Sequence, residues 1–315
     1  MIPIALTAAA LGAALLARRA AAAHGERLVS GRLQPGADGI VPGAHAIELP
    51  GAEGDRRAAL LLHGFGDTPQ SLAYLAAHLH ERGWAVRAPL LPGHGRTLRA
   101  FARSSAEEWL DAARDELMRL RARYDRVALV GLSMGGALAT ALAAEERADG
   151  RDPLPALALV APYLSMPTWV RRLAVLHPAW GAVSPYVRGR GERSIHDPEE
   201  QPRNLAYGVY TPRLLHELLR VVRLARAAAP KVSVPTLLVQ SRLDNRIPPE
   251  ACERAFALFR GPKELVWLER CGHVITVDFE RARVFDEVTR WLDAHVALAD
   301  NREARPRLAA GGTHG

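Results

Sequence analysis

Three residues of the types that make an acyl-transfer relay stand in the order Ser133, Asp244, His273. A serine hydroxyl is a poor nucleophile until a base takes its proton. Histidine titrates near neutrality, so it can take that proton and later return it to a leaving group. A carboxylate behind the imidazole fixes its tautomer and stabilises the imidazolium. Ser133 lies within "GLSMGG", between an apolar run ("RVALV") and an alanine-rich run ("ALATALAAEE"). That is the pattern of a strained strand-to-helix turn, where Gly131 and Gly135 are needed because the turn has no room for side chains. A tetrahedral oxyanion needs backbone donors. The N–H of Met134, at the helix start, is one candidate, and that of Phe65 in "HGFG" is the other.

Neighbouring residues could be mistaken for members of this relay. His63 precedes the oxyanion turn and reads as structural rather than as a base, and His94 in "LPGHG" reads as a loop brace. Asp278 follows "HVITV" too closely behind His273 to reach back as the acid, and is expected to cap or pair locally. Asp67 reads as a turn residue. Cys271 lies two positions before His273, but nothing nearby suggests a lowered thiol pKa.

The elements that must position these groups alternate along the chain. Short continuous apolar runs at 58–64 ("AALLLHG"), 156–162, 235–241 and 264–269, with "WAVRAP" and "RVALVGLS", read as buried strands. Between them lie helices. In "TPQSLAYLAAHLHERG" the residues Leu72, Leu75, Ala76 and Leu79 make one apolar face, and Ser105 with Glu108 forms a capping box. Continuous apolar strands alternating with helices predict an α/β fold with a mostly parallel sheet covered on both faces. Ser133, Asp244 and His273 each follow the C-terminal end of such a strand, where sites gather in these sheets. The alternation breaks between 163 and 230, which reads as a helical insertion over the sheet. The expected organisation is an apolar segment at 1–23, a tether and edge strand at 24–57, a core at 58–162 and 231–298, and a disordered tail at 299–315.

Composition narrows the function classes. The chain has 315 residues, 49% apolar and 24% charged, as in ordinary globular proteins. Its formal charge of +7 is almost all arginine spread along the chain, with no interleaving of basic and aromatic residues, so no nucleic-acid partner is expected. Two cysteines make no disulfide framework, and no His/Cys spacing suits a metal. Residues 1–17 are apolar and Arg18 and Arg19 follow them, the reverse of an export signal. The favoured expectation is a marginal anchoring helix with a cytoplasmic body at the inner face of the membrane. A cleaved export signal ending near "AAAAH" and a soluble extension are the alternatives. Oligomeric state is not legible.

"LLLHGFGDTPQSL", "LPGHG", "GLSMGG", "DNRIPP" and "CGHVITVD" together resemble the α/β-hydrolase fold serine hydrolases, in particular the bacterial carboxylesterase and monoacylglycerol lipase group. The resemblance runs from about 57 to 296. It implies Ser133 as nucleophile, Asp244 as acid, His273 as base, Phe65 and Met134 as oxyanion donors, and no cofactor. It implies that the insertion is a cap around an apolar acyl tunnel. Leu164, Met166, Trp169, Val170, Leu173 and Trp180 are then candidates to hold the acyl chain, with Ile247 and Val274 beside the acid and base. Short- to medium-chain acyl esters or monoacylglycerols are the expected substrates. Asn245-Arg246-Ile247 is more basic than usual in this group, so Arg246 leaves the alcohol side open. A thioesterase or aminopeptidase on the same triad, or a non-catalytic binding protein, remains as an alternative.

Overall fold

The computed structural model describes residues 2–145, 154–182, 184–189 and 194–303. Nine strands appear in chain order among them: β1 (Ile47–Leu49), β2 (Arg57–Leu62), β3 (Ala85–Ala88), β4 (Arg126–Leu132), β5 (Leu157–Val160), β6 (Val187–Arg188), β7 (Val209–Tyr210), β8 (Thr236–Ser241) and β9 (Lys263–Leu268). Ten α-helices accompany them: α1 (Ile2–Ser30), α2 (Ala73–His80), α3 (Leu98–Arg103), α4 (Ala106–Arg121), α5 (Met134–Glu145), α6 (Thr168–Val175), α7 (His177–Gly181), α8 (Pro212–Ala228), α9 (Pro249–Phe256) and α10 (Arg281–Glu303). Seven strands form one sheet in the order β1-β3-β2-β4-β5-β8-β9. All its pairings are parallel except β1 with β3. The β6–β7 ribbon stands apart.

The apolar strand runs are continuous because both faces are covered. On β2, Leu60 and Leu62 join the core cluster that contains Trp109 and Leu117 of α4 and Leu138 of α5. Ala59 and Leu61 join the opposite cluster, with Leu72 and Leu75 on one side and Val284, Val288 and Leu292 of α10 on the other. Each such leucine is fully buried, which is worth about 1.5–3 kcal/mol. The expected Ser105 capping box is present, with Ser105 Oγ accepting from the Glu108 N–H at 3.3 Å.

Three expected boundaries shift. The helix that holds the apolar N-terminal segment does not end with it at 23. Helix α1 continues to Ser30, so the expected tether begins as helix. Its alanine-rich sequence carries no stop before Gly31, and its last turns are held by tertiary contacts. Val29 is buried, Gly25 lies against the Tyr186 ring, and Tyr186 donates to Glu26 at 3.3 Å. No helix among the described residues is long and apolar enough to cross a membrane. The expected insertion 163–230 is two things: α6, α7 and the ribbon lie outside the sheet layers, whereas α8 packs on α5 and buries Leu214, Leu218 and Val222 in the helix layer. Helix α10 runs to Glu303, past the expected edge of the core at 298, and the remainder of the expected tail lies outside the described residues.

Candidate active site

Strand β4 is the middle strand of the sheet, and its last residue hands over to Ser133. Ser133 has φ of 54°, in the left-handed region that non-glycine residues avoid. The strain is held by a dense backbone frame. The Ser133 N–H donates to the Val160 carbonyl at 3.0 Å, and its own carbonyl accepts from Gly136 and Tyr163 at 3.0 and 2.8 Å. A Cβ on Gly135 would fall on the Leu62 carbonyl, and one on Gly136 would sit 2.7 Å from the Pro162 Cβ. Only glycine lets α5 approach β2 this closely.

The turn aims Ser133 at the histidine. Ser133 Oγ lies 2.8 Å from His273 Nε2, and His273 Nδ1 lies 2.8 Å from Asp244 Oδ2. All three residues are buried. Asp244 is further anchored. Its Oδ1 accepts the N–H groups of Arg246 and Ile247 at 2.7 and 3.0 Å, and its Oδ2 accepts Gln240 Nε2 at 2.8 Å. Burial alone would raise a carboxyl here. The charge and hydrogen bond of His273 and the two backbone donors outweigh it, holding Asp244 below the usual carboxylate range. The acid is thus ionised at neutral pH and the imidazole orientation is set, which suits proton transfer from Ser133.

Of the two expected oxyanion donors, Met134 follows Ser133 directly, and Phe65 follows Gly64, where an added Cβ would lie 3.4 Å from the Ser133 Cβ. Met134 opens α5, so its N–H is among the first four that a helix leaves without an intrahelical acceptor. The Phe65 N–H has no hydrogen-bond acceptor among the described residues. Its ring is fixed against Phe101 and Trp109, at centroid distances of 5.2 and 6.0 Å. The loop before it is braced by His63, whose Nδ1 meets the Gly64 carbonyl at 3.0 Å while Nε2 accepts the Leu91 N–H at 3.1 Å. Burial pushes His63 down to about 4, so it is a neutral strut. His94 packs edge-on to it and is likewise pushed low by burial. Burial pushes the Cys271 thiol up to about 12, which leaves no thiolate at neutral pH. No group of three or more His, Cys, Asp or Glu among the described residues is placed to hold a metal.

The expected acyl-chain residues separate. Leu164 and Ile247 are buried, and Val274 is half-buried on the core. Met166 lines a groove between α6 and α8. Trp169 corrects the sequence reading: it is 64% exposed and faces outward, as does Leu173. The inward side of α6 is taken by Val170 and Ala174, so Trp169 and Leu173 fall on its other side.

Several supporting residues are not legible in the sequence. The Ser194 carbonyl accepts the His273 and Val274 N–H groups at 2.8 and 2.9 Å. Arg246 Nε donates to Ser194 Oγ at 3.0 Å. Asp278 is completely buried and accepts four backbone N–H groups: His196 and Asp197 from the insertion, and Gly272 and Phe279 from the histidine loop. It ties the insertion to the loop that carries His273. A lone "HVITVD" motif carries no signal for a partner some 80 residues away.

A parallel sheet with a serine on its central elbow and a hydrogen-bonded histidine and aspartate on later loops defines the α/β-hydrolase class of serine hydrolase. The chain belongs to the family described as serine aminopeptidase, S33, whose model matches residues 54–280. It is 28% identical over 244 residues to a carboxylesterase of Bacillus subtilis (strain 168), covering 76% of this chain and 94% of that protein. It is 26% identical over 245 residues to a thermostable monoacylglycerol lipase of Bacillus sp. (strain H-257), covering 78% and 93%. Among solved structures, one reported with the metagenome-derived lipolytic enzymes LipS and LipT matches with a TM-score of 0.73 and 28% identity, covering 81% of this chain and all of that one.

Proposed function

We propose that this chain is a serine esterase acting on short- to medium-chain acyl esters or monoacylglycerols. The observation that carries it is the unbroken relay Ser133–His273–Asp244, with 2.8 Å at both links. Ser133 attacks the ester carbonyl as His273 takes its proton. The oxyanion rests on the Phe65 and Met134 N–H groups. His273 then protonates the leaving alcohol, and water attacks the acyl-enzyme by the same route. The names of the two Bacillus relatives support esters over other acyl compounds. The family description favours one second reading, an aminopeptidase. Such an enzyme needs free carboxylates to hold a substrate ammonium. Of the four carboxylates in the polar stretch of the insertion, Glu200 is buried against Arg203, Arg281 and Tyr74, Asp197 pairs with Arg281, Glu192 lies outside the described residues, and Glu199 alone is exposed without an ion pair among the described residues. The ester reading is therefore preferred. A cytoplasmic body at the inner face of a membrane agrees with Arg18 and Arg19 following the apolar run.

The test is turnover of p-nitrophenyl esters from acetate to palmitate by the full chain and by Ser133→Ala. We expect a drop of roughly 10³-fold or more in the variant, with the best chain length sizing the pocket. A wild type inert on every ester but active on aminoacyl amides would replace this reading with the aminopeptidase.

A further inference from the structure

The cap carries a surface that the hydrolytic reaction does not use. Helix α6 packs Val170 and Ala174 inward. Its outward side is also apolar: Trp169 and Leu173, with Leu176 at its C-cap, recur at i, i+4 and i+7, and Trp169 and Leu176 are 64% and 59% exposed. A helix with a second apolar stripe facing solvent is a helix waiting for an apolar neighbour. Beside the stripe, α6 and α8 enclose a groove of about 640 Å³, floored by Met166, Leu219 and Val222. Its rim is Arg171, Arg172, Arg223 and Arg226, and no acidic residue lines it.

These four arginines stand apart from others in the chain. Arg57, Arg87, Arg114 and Arg290 each pair with two carboxylates. The four at the groove are all exposed, and among the described residues none has an ion pair or a side-chain hydrogen bond. Clustered guanidinium groups without counter-charge repel one another and draw in anions. An exposed tryptophan and leucines flanked by arginines is the composition of an interfacial helix, one whose apolar side enters the headgroup boundary while its cations meet anionic lipids.

We propose that the α6–α8 face docks the protein on an anionic phospholipid surface, with Trp169, Leu173 and Leu176 entering the interface and Arg171, Arg172, Arg223 and Arg226 binding phosphate headgroups. This differs from anchoring through the N-terminal helix, and it stands whether or not the enzyme is an esterase. It places the cap, rather than the sheet edge, against the lipid.

The test is co-sedimentation of the full chain with phosphatidylcholine vesicles, with and without phosphatidylglycerol. The wild type is expected to bind the anionic vesicles and to lose binding as salt rises. Each arginine near an anionic leaflet is worth about fivefold in partitioning, so replacing all four by glutamine lowers it by about 600-fold. Thermal stability and turnover of a soluble p-nitrophenyl ester should stay unchanged in that variant. Trp169→Gln, which keeps the charge, should also weaken binding, whereas Leu15→Gln with Leu16→Gln on α1 should not. The proposal is overturned by wild-type binding in the four-glutamine variant, by no effect of Trp169→Gln, or by a wild type that ignores both vesicles. The first result moves the contact to α1, the second leaves only polyanion attraction, and the third leaves the face to a protein partner.

Discussion

Replacing Asp278 by asparagine isolates the staple beneath the catalytic histidine. The carboxylate spends both oxygens: Oδ2 accepts the His196 and Gly272 N–H groups at 2.9 and 2.7 Å, and Oδ1 accepts those of Asp197 and Phe279 at 2.9 Å each. Asparagine is the same size but keeps one acceptor oxygen. Whichever way its amide turns, an NH₂ faces two N–H donors that then have no partner. An unsatisfied buried donor costs about 1–3 kcal/mol, so the substitution should cost about 2–6 kcal/mol. That is a large share of the 5–15 kcal/mol typical of a folded domain. Urea denaturation gives the value directly, from a lower midpoint at unchanged slope. Gly272 adjoins His273, so the same change should loosen the imidazole. A misplacement of about 1 Å costs about 10²-fold in rate, and kcat should fall by that order with the fold still intact at low urea. A variant within about 0.5 kcal/mol of wild type would refute the claim that Asp278 bears these four bonds.

Three further substitutions test other parts of the site. Asp244→Asn removes the charge that selects the His273 tautomer, and kcat should fall about 10⁴-fold; because the amide NH₂ then faces donors that the carboxylate accepted, Tm should fall as well. Gly135→Ala drives a methyl into the Leu62 carbonyl; backbone cannot yield there as a side chain tip can, so unfolding free energy should fall by about 3 kcal/mol or more in calorimetry. Asp67 is pushed by burial up to about 6 from 3.8, against the pull of Ser71, the Thr68 N–H and His273. The folded state therefore holds this proton more tightly than the unfolded state, and stability is lost as pH rises from about 4 through 6. Asp67→Asn should be more stable than wild type by up to about 3 kcal/mol at pH well above that window. The gain should vanish below it; urea midpoints across that range that show no such crossover would count against a buried, proton-holding Asp67.

How much of this was legible beforehand depends on the range of the interaction. The α/β class could be read from β2, β4, β5 and β8 because strands covered on both faces become unbroken apolar runs. The elbow could be read because steric exclusion at Gly131 and Gly135 is a local demand. The serine, acid and histidine could be ordered because each follows its own strand. By contrast, nothing local says that Asp278 bonds to His196, that Gln240 backs Asp244, or that Ser194 holds the His273 loop. Ser194 and His196 lie in a stretch without periodic pattern, and their partners are set by how the insertion lands on the sheet, whereas Gln240 sits in β8 and its bond depends on how the loop after that strand folds back. The same holds for Trp169 and Leu173, whose apolar character suggested a tunnel. Helical phase alone cannot tell an inward stripe from an outward one; only the packing of Val170 and Ala174 decides it. Nor could the end of α1 be placed from its own residues, since contacts with Tyr186 and the core hold its last turns. Sequence by itself determined the chemistry available and the strands that carry it. Tertiary structure decided the 2.8 Å contacts that join residues 133, 244 and 273, because a hydrogen bond across 140 positions exists only once the sheet has brought its strand ends together.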